Sequence, residues 1–168
     1  MPATDGEALT IRYLENEFRK LGVAPVGGSY QQGVPLVEIA PRPDAELRFA
    51  TPQGEQRTRF GEDSVVWTKR EVTAASVTDS DLVFVGYGVN APEYGWNDYA
   101  GVDMQGKTAL ILINDPGFAT GDESLFRGQA LTYYGRWTYK FEEAARQGAK
   151  AAFIVHNTEP AAYGWDVV

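Results

Sequence analysis

The sequence contains no cysteine and a single histidine, His156, among 168 residues. Without thiols there is no disulfide, no thiolate nucleophile and no cysteine-based zinc site. One imidazole cannot build a histidine-rich metal centre, and any Ser–His–Asp triad would have to recruit it. No catalytic residue, metal ligand or resident cofactor is therefore assigned to this chain. Long apolar runs are missing as well. The longest, 109–113 and 149–155 (the second broken by Lys150), are far too short to span a membrane. The opening Met1-Pro2-Ala3-Thr4-Asp5 has neither a basic start nor an apolar stretch, so it does not read as a signal peptide. Basic residues are in deficit, 15 Lys+Arg against 23 Asp+Glu for a net charge of −8. That balance argues against nucleic acid or an anionic membrane as partner, since either needs a basic face.

What is present is globular in character: 43% hydrophobic residues with 23% charged, unlike a disordered tail. The length suits one domain, or one domain plus a fragment. Thr4 and Glu7 have capping-box spacing, and Ile11, Leu14, Phe18 and Leu21 recur at helical intervals up to Gly22. Residues 25–29 read as a Gly/Pro turn and 34–39 as a short strand. Pro41 and Pro43 flank Arg42 and mark the domain boundary, with an N-terminal segment over 1–42 and a second domain over 43–168. Beyond it the pattern is β-rich: a hairpin around 51–55 with its return arm at 57–60, and short strands at 65–67 and 72–77. Residues 81–89 and 107–113 read as buried strands, 97–106 as a polar loop, 114–117 as a turn and 118–129 as a long loop. A helix over 134–147, with Trp137, Phe141, Ala144 and Ala145 on one stripe, leads to a third strand at 151–155. Strand, helix, strand with continuous apolar runs implies a parallel βαβ unit and a mixed, β-rich α/β fold.

Several constellations admit two readings. Gly86-Tyr87-Gly88-Val89-Asn90-Ala91 spells a dinucleotide string, but Pro92 and Gly95 prevent the helix that would hold a pyrophosphate. The glycines fit close backbone packing instead. His156 ends a strand, where a ligand or base could sit, yet Asn157 and Thr158 offer no metal spacing. Asp79 and Asp81 lack the further oxygens calcium needs, and Glu142 and Glu143 read as solvated charges on the polar helix side. The aromatic residues Tyr94, Trp96, Tyr99, Tyr133, Tyr134 and Trp137, with Arg136 beside them, either line a groove for peptide or sugar or anchor long loops to the sheet. Tyr-Gly-Trp followed by an Asn or Asp occurs at both Tyr94 and Tyr163.

The block FVGYGVNAPEYGWNDYAGVDMQGKTALILINDPGF, residues 84–118, resembles the protease-associated (PA) domain inserted in bacterial zinc aminopeptidases of the di-zinc leucyl-aminopeptidase family, which also holds glutamate carboxypeptidase-like proteins. LTYYGRWTYKFEEAARQGAKAAFIVHNTEPAAYGW, residues 131–165, continues the likeness. The opening 2–39 is similar to the first helix and strand of the peptidase domain itself, which precede the insertion; 42–78 carries the least.

The resemblance implies a non-catalytic front of an exported (periplasmic or secreted) enzyme that cleaves at peptide N-termini, with Met1 standing where a leader has been removed and the PA-like domain cut short at its C-terminal end. The parent's two zinc ions would activate water and polarise the peptide carbonyl. Their His-x-Asp motif has no counterpart here, because His156-Asn157-Thr158 lies inside the PA-like block. The implied partners are the rest of the peptidase domain and a peptide or protein substrate, met by the PA part as lid or docking surface at Tyr94, Trp96, Tyr99, Tyr133, Tyr134, Arg136 and Trp137. The alternative is a free-standing module for peptide or carbohydrate. Burying Ile11, Leu14, Phe18 and Leu21 is worth roughly 6–12 kcal/mol, so the first helix is expected to pack on the PA part, form a homodimer, or lose order.

Overall fold

The computed structural model describes residues 4–40, 42 and 44–168. The expectations placed on Met1, Pro41 and Pro43 lie outside the described residues. Contacts gather the chain into two units, Met1–Arg42 with Lys69–Glu71, and Pro43–Thr68 with Val72–Val168.

The first unit is built on α1, Asp5–Lys20. Thr4 Oγ1 accepts from the Glu7 amide at 3.3 Å, so the capping spacing does what it implies. Asp5 and Glu7 in the first turn and Arg19 and Lys20 in the last complement the helix dipole. Phe18 stacks on Tyr30 with ring centroids 6.3 Å apart, and the Tyr30 hydroxyl donates to Val23 O at 2.6 Å. Gly22 turns at φ +71° and ends the helix. Residues 34–39 form no strand: Val34, Leu36 and Val37 are exposed, and among the described residues no neighbouring strand offers a ladder.

The second unit is mixed α/β. It opens with an antiparallel hairpin of β1, Arg48–Thr51, and β2, Gly54–Arg57. The return arm therefore starts earlier than 57–60, because Pro52 and Gln53 alone make the turn. Next come β3, Leu82–Phe84, and a small antiparallel pair, β4 at Asn90–Ala91 and β5 at Trp96–Asn97. Then follow β6, Thr108–Leu112, α2, Pro116–Thr120, α3, Trp137–Arg146, β7, Ala151–Val155, and α4, Thr158–Ala161. β3, β6 and β7 form a parallel sheet in the order β3-β6-β7, so the expected strand–helix–strand unit is present with β6 central. Val85, Tyr99, Met104, Ala109, Ile111 and Ala144 form one core.

Other expectations shift. The strand at 81–89 shrinks to three residues because Gly86 and Gly88 turn at φ +56° and +60°. Gly88 also serves close packing, since a Cβ there would lie 3.0 Å from Ile111 Cγ2 and from the Tyr99 hydroxyl. Residues 65–67 and 72–77 join no ladder among the described residues. The loop 97–106 is less polar than it reads, with Tyr99 and Met104 buried. The turn at 114–117 opens α2 instead, because Asp115 Oδ1 caps the Gly117 amide at 3.1 Å and Pro116 starts the helix. The helix expected over 134–147 starts at Trp137; Tyr133–Gly135 is a separate short turn, and Arg136 is extended. Its buried face is Tyr139, Lys140, Glu143 and Ala144, while Ala145 is exposed. Glu143 is thus not a solvated charge: it accepts from Arg146 Nε and Gln147 Nε2, both at 2.8 Å.

Candidate functional site

The seven residues singled out from the sequence separate into different surroundings. Tyr94, Trp96 and Tyr134 close around Phe126, whose ring is fully buried, at centroid distances of 4.3, 6.1 and 5.5 Å. Phe126 comes from the long loop, so this cluster ties that loop to the β4–β5 pair. The Tyr134 hydroxyl donates to Glu93, and that carboxylate pushes its pKa up to about 12. Tyr99 lies in the other core, where burial pushes its phenol up. Tyr133 is exposed and donates to Glu142 at 3.0 Å; Arg136 is exposed. Trp137 belongs elsewhere, 6.2 Å from the Tyr163 ring.

Beneath the Phe126 cluster lies a polar pin that the sequence reading missed. Lys140 is fully buried and donates from Nζ to Tyr87 O at 2.5 Å. Burial lowers its pKa to about 7, against the pull of Asp115 and Asp98. Asp115, also fully buried, accepts from Gly117 through Oδ1 and from the Thr132 amide and hydroxyl through Oδ2. Asp98 holds the Val89 amide and Trp96 Nε1, each at 2.9 Å. These acids fasten loops to the ends of β3 and β6. The signal was available: Trp137, Lys140 and Ala144 share helical spacing, which puts the lysine on an inward stripe.

A third place is concave. A cleft of about 430 Å³ runs beside β7 and is lined by five consecutive residues, Ala152, Phe153, Ile154, Val155 and His156. Its walls are Phe49 from the hairpin, Trp67 and the acids Glu62 and Asp63 from the following loop, Trp137 and Phe141 from α3, and Trp165. Phe49 meets Phe153 edge-on at 5.5 Å, and Trp67 meets Phe141 at 5.0 Å. His156 stands between Tyr163 and Trp165, at 5.4 and 5.9 Å. The second Tyr-Gly-Trp thus packs its two rings on the histidine, and Trp165 Nε1 donates to Gly61 O at 3.2 Å. Both His156 ring nitrogens and Trp137 Nε1 are buried with no hydrogen-bond partner among the described residues. Such groups cost about 1–3 kcal/mol each. Arg59 bonds Asp63, which lowers that carboxyl's pKa, and also reaches Glu62.

Among the described residues no group of three or more His, Asp or Glu side chains could hold a metal ion. No described helix is long and apolar enough to cross a membrane. No family model, curated protein or solved structure matches the chain.

Proposed function

We propose that the chain is the non-catalytic front of an exported zinc-dependent aminopeptidase. Its first unit would belong with the peptidase domain, and its second would be the PA-like part, a lid or docking surface for peptide or protein substrate. The observation that carries this reading is α1, sixteen residues long with none buried. Leu14, Phe18 and Leu21 of the apolar stripe are 46, 42 and 75% exposed. An amphipathic helix with an open stripe fits a region built to be covered by more protein, and the peptidase domain is the cover the sequence blocks imply. Zinc chemistry would reside on residues of that domain, and no step of it is assigned to side chains of this chain.

The test is expression of the full reading frame and release of N-terminal residues from amino-acid anilides. Release that stops with a chelator and returns with zinc supports the reading; chelator-insensitive release, or none from a folded product, overturns it. A second reading, a free-standing peptide- or carbohydrate-binding module, draws on the aromatic cleft beside β7. A reading frame ending near Val168 favours that module, and one of several hundred residues favours the peptidase.

A further inference from the structure

The geometry points to the cleft beside β7 as a site where an extended peptide adds as a fourth strand, with a basic group at the Glu62–Asp63 end. This deepens the docking role proposed above and rests on it, although binding by this chain is measured without any zinc activity. β7 is an edge strand, paired among the described residues with β6 alone. In a parallel ladder alternate residues turn both main-chain groups to the same side. Ile113 N donates to Val155 O, which places Val155 toward β6 and turns Ala152 and Ile154 outward. Among the described residues, no hydrogen bond outside the ladder reaches the main chain of either. Five consecutive lining residues carry the cleft along both sides of this edge, and Leu110 of β6, opposite Phe153, extends it onto one face of the sheet.

The occupant follows from shape and charge. Exposed edges recruit strands, but here the walls from Phe49, Trp67 and Trp165 flank the edge. A single extended chain along the edge would meet these rings with its side chains. Main-chain groups of a peptide would pair with Ala152 and Ile154, and its alternate side chains would meet the aromatic walls. No lysine or arginine lines it among the described residues, and Glu62 and Asp63 share the single guanidinium of Arg59. One negative charge therefore remains uncompensated, which complements a lysine, an arginine or a free amino terminus.

The probe is a fluorescein-labelled hexapeptide alternating valine and threonine behind an amino-terminal lysine, followed by fluorescence anisotropy with this chain. Saturable binding is expected. It should weaken about tenfold when alternate amides of the peptide are N-methylated, which removes two or more edge hydrogen bonds. Glutamate in place of the lysine should weaken it several-fold, by an amount that shrinks with added salt. Ile154→Pro, which removes an outward donor, should weaken it comparably; unchanged circular dichroism keeps that variant informative, and the N-methylated peptide needs no variant at all. Absence of binding up to about 1 mM, equal affinity for the N-methylated peptide, or a concentration-dependent dimer that excludes the peptide would each overturn the proposal. Failure of the anilide assay with peptide binding intact would instead remove the peptidase reading alone.

Discussion

Replacing Lys140 with methionine and following stability against pH isolates what its buried ammonium costs. In the folded chain burial lowers the Lys140 pKa from 10.5 to about 7. Below pH 7 the lysine is protonated in both states, and the folded state bears the whole penalty. Between pH 7 and 10.5 only the unfolded chain holds the proton, so stability rises with pH at up to about 1.4 kcal/mol per unit. From pH 7 to 9 the gain is about 2 kcal/mol, a large part of a typical total of about 5–15 kcal/mol. Lys140→Met lacks this gain. It also loses the hydrogen bond to Tyr87 O, but that offset does not change with pH. The raised tyrosines, Tyr99 and Tyr134 among them, titrate alike in both proteins and cancel in the difference. Urea melts followed by tryptophan fluorescence at pH 6, 7, 8 and 9 give the two curves. A wild-type-minus-variant difference that stays flat within about 0.5 kcal/mol from pH 7 to 9 would refute the placement of Lys140 as a desolvated charge.

Two further substitutions probe the loop that packs on β4 and β5. Phe126→Ala removes the ring at the centre of Tyr94, Trp96 and Tyr134 and should cost about 3–5 kcal/mol in chemical denaturation; a loss under about 1 kcal/mol would show that the loop is held by something else. Gly117→Ala would set a Cβ 2.3 Å from Leu125 O and 2.8 Å from Gly128 O, both backbone. The cost should be about 3 kcal/mol, with increased proteolysis within 121–129, and an unchanged melting temperature would contradict the packing of α2 against that loop.

Local signals survived folding where their partners were local. Thr4 caps α1, Gly22 and Gly148 end helices, and the apolar runs at 107–113 and 151–155 became neighbouring parallel strands. Local patterns failed where the deciding contact came from far along the chain. Residues 34–39 and 72–77 have strand composition but met no ladder, and β-propensity without a neighbouring strand makes no hydrogen bonds. The aromatic residues looked alike in sequence, yet Phe126 drew three of them inward, while Trp137 went to the cleft.

By itself the sequence determined the residue inventory, with one imidazole, no thiol and an acid excess, and the parallel strand–helix–strand order. Those follow from residue inventory and short-range periodicity. Only the tertiary structure decided that Lys140 and Glu143 lie inside, that Asp115 and Asp98 pin loops, and that His156 stands beside an open strand edge. Burial of a charge or a ring depends on which distant segments meet it, and periodicity along one helix or strand carries no record of that encounter.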